Sequence, residues 1–375
     1  LGTLDLNWRL FYNENKAKEP DLRYLEYHME TDPISMLTNR RHWLYAKEYR
    51  RGADASLDWT LGDEDRPARI SGGATVTDRQ RALRNDPYHM ARDGLSGGLV
   101  FLPPQTIFEP DNFKTRLFTL RYQDQFSGSY NGSQATNAYY AMAEVPFGLG
   151  QEEFRFAGGA RLENNQMAVR AYDKFLNDFV DAGFNETTVL PSANLAYEYD
   201  ERTNVRLAYY KSVNYPEMRE IAPVKSSDFK NDWEVVGNPD LEVARIDNYD
   251  LRLEYFPRFG EVFAISFFYK DLAGAIETSL NSQPNYLDLL SWFNGDGHNY
   301  GFELEMRTRL DFISRSLYDV TLGGNYTRVW SEVEFFTLEN PDDENESARE
   351  RQSTRPRQGQ APWVINLSLK WESLA

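Results

Sequence analysis

Residues 248–270 read NYDLRLEYFPRFGEVFAISFFYK, and every second position is apolar. Tyr249, Leu251, Leu253 and Tyr255 alternate with Asp250, Arg252 and Glu254; after PRFG the apolar series resumes at Phe263, Ile265, Phe267 and Tyr269. Successive side chains of an extended strand point to opposite faces, so a period of two makes one greasy face and one charged face. The pattern predicts an antiparallel hairpin with PRFG as its turn.

The same period recurs from end to end. Leu4, Leu6, Trp8 and Leu10 form one such row, Ala55, Leu57, Trp59 and Leu61 another, and Phe154 and Phe156 a third. Tyr300, Phe302, Leu304 and Met306 alternate with Gly301, Glu303, Glu305 and Arg307, and Trp363, Ile365, Leu367 and Leu369 close the series. Helical spacing is scarce; residues 171–184, with Phe175 and Phe179 one turn apart, are the best candidate. The chain is predicted to be all-β and antiparallel, with roughly 13–14 strands.

The connections sort into two sizes. Short turns fall at 62–67, 146–152, 200–203, 257–260 and 312–316, and long polar stretches run over 77–113, 164–188, 212–247, 271–299 and 331–360. Loops longer than about 12–15 residues are uncommon in compact domains. Their recurrence at every other connection is the pattern of a membrane barrel with one short-turn rim and one long-loop rim. A sandwich mixes loop lengths at both ends, and the fixed blade period of a propeller is missing.

Composition agrees. Faces carrying Arg161 with Glu163, Arg252 with Glu254 and Glu305 with Arg307 cannot be a dry core; they suit a solvent-exposed sheet face or a wide wet lumen. Mean hydropathy is −0.65, and no apolar run reaches the ~18 residues of a membrane helix, which excludes transmembrane helices but not barrel strands. A net charge of −17 argues against nucleic acid as a partner. Cysteine is absent, which removes disulfides and thiolate chemistry. Aromatic residues make up 14% of the chain, 23 of them Tyr. They gather near strand ends at Tyr209–Tyr210, Tyr255–Phe256, Trp330 and Trp371, as interfacial girdles do.

No catalytic residue, cofactor site or metal site is read from the sequence. Gly94-Leu95-Ser96-Gly97-Gly98 has the letters of a nucleophile elbow, but the LVFLPP that follows denies it a helix. The four histidines are scattered. The acidic run 341–347 lacks the alternate-ligand spacing of a calcium loop. Glu303 and Glu305 share a strand face with Arg307, which fits a charge ladder better than a glycosidase pair.

A composite over residues 204–277 is more specific. An alternating strand leads into Asn214-Tyr215-Pro216-Glu217-Met218-Arg219-Glu220, then Ala222-Pro223, then Gly237-Asn238-Pro239-Asp240-Leu241, then the hairpin ending in Phe268-Tyr269-Lys270-Asp271. This resembles the TonB-dependent outer-membrane receptors. Residues 139–163, 190–212, 298–310 and 360–372 resemble further strands of the same barrels, so the likeness covers most of 112–372. Val243-Ala244 stands where that pattern leads one to expect a proline.

The resemblance implies an antiparallel transmembrane β-barrel of about 22 strands, filled by an N-terminal plug. Residues 1–375 then form part of that barrel domain, without plug, TonB box or final strand, an internal segment of a longer receptor. It also implies a Gram-negative outer-membrane location, with outer-membrane lipid, an inner-membrane TonB complex acting through the plug, and a scarce nutrient as partners. Siderophore, cobalamin, oligosaccharide and peptide are the ligand classes left open. Ligand contact falls to the long loops, where Tyr215, Trp233 and Trp292 are candidates either for stacking on a flat or sugar-like ligand or for packing anchors. The rival reading is a secreted all-β carbohydrate-binding or carbohydrate-active protein; a plug-less porin-like barrel is a third.

Overall fold

The structure is a computed structural model describing residues 2–28, 35–62, 66–92, 98, 101–114, 118–122, 128–173, 178–228, 233–281, 289–339 and 349–372. In chain order its strands are β1 (Thr3–His28), β2 (Ser35–Leu61), β3 (Ala68–Arg92), β4 (Phe118–Tyr122), β5 (Tyr130–Leu149), β6 (Glu152–Asp173), β7 (Asp178–Asp200) and β8 (Thr203–Asn214). They continue as β9 (Lys225–Asp228), β10 (Trp233–Val236), β11 (Ala244–Tyr255), β12 (Val262–Asn281), β13 (Leu289–Arg309), β14 (Val320–Glu339), β15 (Arg349–Arg355) and β16 (Trp363–Trp371). Among the elements of the described residues, helix is confined to single turns, α1 (Pro104–Ile107), α2 (Pro110–Lys114) and α3 (Met218–Ile221), and the 3-10 turns at Leu310–Phe312 and Arg315–Leu317.

All sixteen strands join one sheet. Twelve make a continuous antiparallel wall in the order β1-β2-β3-β5-β6-β7-β8-β11-β12-β13-β14-β16, each neighbour joined by a hairpin or a loop return. The remaining four lie at the long-loop rim, where β10 makes the one parallel pairing among the described residues, with β13. The expected 13–14 strands fall between the sixteen strands and the twelve of the wall, because alternation alone does not separate wall strands from short ladders in loops. Among the described residues β1 and β16 do not pair with each other, so the wall is an open barrel segment.

The short turns fall where the alternation breaks, between β2 and β3, β5 and β6, β7 and β8, β11 and β12, and β13 and β14, all on one rim. At PRFG the backbone reverses through Gly260 at φ +83°, a left-handed conformation that costs glycine nothing.

Two expectations about the other rim are overturned. The stretches at 77–92, 164–173, 178–188, 271–281, 289–299 and 331–339 are strand rather than irregular loop. The long hairpins simply continue: β6 has 22 residues, whereas about 9–11 suffice to cross a bilayer. The candidate helix at 171–184 is the far end of the β6–β7 hairpin, with 174–177 outside the described residues. Phe179 lies opposite Tyr172 on the neighbouring strand, its ring edge-on at 5.3 Å, with the Arg170 guanidinium 4.7 Å from its centre. Cross-strand packing therefore overrides a helical spacing of two aromatics.

The long strands explain themselves through a change of side. On β6, Phe156 and Leu162 are exposed while Arg161 and Glu163 on the opposite face are half-buried. Farther along the same strand Asn165, Met167, Val169 and Ala171 are buried on the face of Arg161, and Arg170 and Tyr172 are exposed on the face of Phe156. The period of two never slips; the chemistry changes face. β2 does the same, from exposed Leu57 and Trp59 to partly buried Leu44 and Ala46, and β3 from exposed Ile70 and Val76 to buried Leu83.

In the 248–270 hairpin Tyr249, Leu253, Phe263 and Phe267 are exposed and Glu254 is buried, so the greasy face is the open one and the charged face the covered one. An aromatic belt crosses the apolar face from Tyr209 to Tyr249 (ring centres 5.2 Å), Tyr269 (6.3 Å), His298 (6.2 Å), Tyr300 (5.9 Å) and Trp330 (5.5 Å). Tyr210, expected in that girdle, belongs to the other face: its ring lies 5.9 Å from the Lys270 ammonium.

The short-turn rim is tied by one guanidinium. Arg258 in the β11–β12 turn donates to Glu261 at 2.7 and 2.8 Å, and to Asp311 in the β13–β14 connection at 2.7 and 2.9 Å. Glu261 is buried and also accepts from the Arg309 backbone at 3.0 Å. Arg258 thereby holds both carboxyls below their ordinary values of 4.5 and 3.8. Depressed acids contribute stability that is complete above the ordinary values and is lost as pH falls through the lower folded ones. Arg258→Ala is accordingly expected to lower the melting temperature at neutral pH, with the gap to wild type closing only below pH 4.5. A gap that is constant from pH 7 to strong acid in thermal melts would remove the clamp.

Candidate functional site

Beyond β8 the chain turns inward over the face that carries the charged rows lower down. Tyr215 lays its ring parallel to Phe184 of β7, centres 5.8 Å apart, with its hydroxyl 3.3 Å from Thr188 Oγ1. Burial pushes the Tyr215 phenol up from its ordinary value. Pro216 then starts a tight knuckle whose single helical turn, α3, drives Met218 and Ile221 into full burial. They join Leu83, Tyr130, Met167, Val169, Ala171, Ala222 and Leu241 in a buried apolar cluster. β5 makes room with Gly132, where a Cβ would stand 2.6 Å from Met218 Sδ.

Polar groups set the knuckle's position. Glu217 donates its backbone N–H to Glu220 Oε2 at 2.8 Å, half of a capping box. Arg79 of β3 donates to Glu217 at 3.1 Å, to Glu48 of β2 at 3.0 Å and to Gln134 of β5 at 3.5 Å, joining three wall strands to the loop. The return segment crosses so closely that a Cβ on Gly237 would lie 2.1 Å from the Ala222 carbonyl oxygen. Asn238 next to it donates its backbone N–H to the Glu220 carbonyl at 2.6 Å and its side-chain amide to the Trp292 carbonyl at 3.0 Å, while its Oδ1 accepts from the Asp240 backbone. The Pro216–Glu220 and Gly237–Leu241 motifs are thus two halves of one crossing: glycine for proximity, asparagine for three hydrogen bonds.

A second tie lies at the far end of β12. Buried Glu277 accepts from Arg357 Nε at 2.7 Å, from the Gln358 backbone at 3.2 Å and from Arg355 at 3.5 Å, anchoring the segment after β15. Lower down, Arg206 of β8, Glu254 and Arg252 of β11 and Glu305 of β13 form a charge ladder with contacts of 3.0, 2.8 and 2.7 Å. Glu305 is engaged in this ladder, as the face-sharing Arg307 suggested, and does not stand free as one of a catalytic pair.

Of the three aromatic ligand candidates, Tyr215 and Trp292 pack within or against the knuckle. Trp233 opens β10, is half-buried, and pairs with Asp228. β10 runs beside the start of β13, three residues before Trp292, so Trp233 and Trp292 belong to one loop assembly. The Gly94–Gly97 stretch and the acidic run at 341–347 lie outside the described residues. Among the described residues no group of three or more His, Asp or Glu is arranged to hold a metal ion. Sequence reasoning missed Arg79, because its partner Glu217 is 138 residues away; Asn238 was visible as part of its motif.

A methyl at Gly237 meets backbone, which cannot step aside. Gly237→Ala is expected to release residues 215–243, read as faster hydrogen exchange there with the wall strands unchanged. Met218→Ala removes about 2–5 kcal/mol from the same packing and is expected to accelerate the same segment. Unchanged protection in both variants would mean that the knuckle is not held by this crossing.

Compared with known proteins, residues 3–374 match the family model described as TonB dependent receptor-like, beta-barrel. The ferric citrate transporter FecA in its unliganded form superposes with a TM-score of 0.56 at 12% identity, over 88% of this chain and 40% of that one. The siderophore receptor PiuA from Acinetobacter baumannii superposes with a TM-score of 0.57 at 10% identity, over 98% of this chain and 53% of that one. The chain therefore spans about half the length, or less, of these receptors. Among curated proteins, none matches the sequence.

Proposed function

The chain belongs to the TonB-dependent receptor β-barrel family, and on that premise we propose that it forms wall and outer loops of a Gram-negative outer-membrane receptor that takes up a scarce nutrient without chemical change. One observation carries this reading: the exposed face of the wall is the apolar one. Leu207 and Tyr249 are 50% and 48% exposed, while Glu254 and Asp58 on the opposite face are each only 9% exposed. Lipid outside and a wet lumen inside turn that arrangement from a liability into a requirement. The apolar row on β1, Leu4 to Tyr12, spans about 27 Å of strand at ~3.4 Å per residue, which at barrel tilt covers about 20 Å of an apolar band of roughly 25 Å.

Ligand is captured at the long-loop rim, with Trp233 and the exposed edges of Tyr215 and Trp292 as stacking surfaces. The ligand classes remain siderophore, cobalamin, oligosaccharide or peptide. The partners that follow are outer-membrane lipid and, through a plug domain, an inner-membrane TonB complex that supplies the energy. The secreted carbohydrate-protein alternative requires the apolar rows to be covered by another sheet, and no such layer is present among the described residues.

Leu207 lies mid-band, in register with Leu251 and Phe267, and is half exposed. On a soluble surface Leu207→Arg shifts stability by no more than ~0.5 kcal/mol; facing the bilayer centre it costs about 2–4 kcal/mol. We expect the larger loss in denaturant titrations of the receptor refolded into lipid, and recovery of the wild-type receptor in the membrane pellet. A detergent-free soluble protein would end this proposal.

A further inference from the structure

We propose that the 248–270 hairpin closes a covalent bond on itself: the Lys270 amine attacks the Asn248 carboxamide, joining β11 to β12 through an isopeptide link and releasing ammonia. On the covered face of the wall Tyr210, Asn248, Lys270 and Asn299 stand in one cross-strand row. Ala208, Asp250, Phe268 and Gly301 form the next. Directly opposed side chains on neighbouring strands touch, and those one step along lie within reach of long side chains. Register alone therefore brings an amine, a carboxamide and a carboxyl together.

The amide is held ready for attack. Lys270 Nζ lies 2.7 Å from Asn248 Oδ1, next to the carbonyl carbon that a nucleophilic amine takes. Asn248 is 2% exposed, and its Nδ2 meets three oxygens: the Tyr210 carbonyl at 3.1 Å, the Ile246 carbonyl at 3.2 Å and Ser212 Oγ at 3.0 Å. A carboxamide nitrogen carries two hydrogens; three acceptors match the protonated leaving nitrogen of the tetrahedral intermediate, which carries three. The Tyr210 ring lies 5.9 Å from the Lys270 ammonium. Half-buried Asp250, opposite Phe268, makes no hydrogen bond or ion pair among the described residues, yet is near enough for the Lys270 charge to act on it.

The Asp250 carboxylate first takes a proton from the Lys270 ammonium. The neutral Nζ then adds to Asn248 Cγ while the Asp250 carboxyl protonates Oδ1. Asp250 next carries a proton from Nζ to Nδ2; the Cγ–Nδ2 bond breaks, the carbonyl re-forms, and ammonia leaves with the hydroxyl proton as ammonium. In sum, one lysine ammonium and one carboxamide become one amide and one ammonium ion, with no oxidant, cofactor or water consumed. On the other side of Lys270, the buried Asn299 Oδ1 has no hydrogen-bond partner and can accept from the new amide N–H. A mere lysine–asparagine hydrogen bond would leave the Asp250 carboxyl, this acceptor and the third oxygen around Nδ2 without a role.

The test is mass spectrometry of the complete protein that contains this chain, taken folded and, in parallel, kept unfolded in urea from synthesis onward. The folded protein is expected to be lighter than its sequence by one ammonia, and the unfolded one to carry the full mass. Trypsin should release 246–252 joined to a peptide that runs on through Lys270, since an acylated lysine is not cut. Lys270→Arg keeps the charge without a nucleophilic amine, and Asp250→Asn keeps the shape without the proton carrier; both should fold and retain the full mass. Lys211→Arg, on the opposite face of β8, should still form the link. Full sequence mass in the folded wild type overturns the proposal without any variant. So does ammonia loss without joined peptides, which would be cyclisation of an asparagine on its own backbone. A link that persists in Asp250→Asn overturns the proton transfers assigned here.

Discussion

Everything in this molecule follows from which face of the sheet is apolar at each height. A strand has two faces and a fixed period, so the only freedom left to the sequence is which face is made apolar at each height. Near the short-turn rim the apolar residues face out; near the long-loop rim the same faces carry Arg170, Lys47 and Arg84. The interior changes in the opposite sense, from the Arg206–Glu254–Arg252–Glu305 ladder to the cluster around Met218 and Val169. Backbone pairing stays continuous through the change, since hydrogen bonding within the ladder is indifferent to what the side chains touch.

The knuckle depends on that change. A single turn of helix cannot sustain itself in water, and α3 persists because the wall presents it with an apolar floor. The floor exists only where the strands have already passed beyond the outward-facing apolar rows, so the extended hairpins and the inward loop are one design. Arg79 and Asn238 fix where the loop lands, and their contacts set the height at which Tyr215 and Trp292 are held.

The lower wall was legible because its alternation was uninterrupted and its charged face could not be a core. The upper hairpins were not, although their period is the same. Met167, Val169 and Ala171 alternate with Ala168 and Arg170 on the parity opposite to Phe156 and Leu162, and a search for one constant apolar face stops at Glu163. The motif pair around Pro216 and Gly237 was recognisable as a string; the 2.1 Å approach that demands the glycine is a relation between segments and leaves no local mark. Long-range polar ties such as Arg79 to Glu217 are invisible to pattern for the same reason.

The Arg258 clamp has a mechanical side. Two hairpins joined only by their ladders unzip one at a time when pulled from the rim, each hydrogen bond bearing the load in turn. With one guanidinium bridging neighbouring turns, a pull on either is divided between β11–β12 and β13–β14 and is carried partly in shear across the ladders. These neighbouring hairpins behave as one linked unit at the short-turn end of the wall.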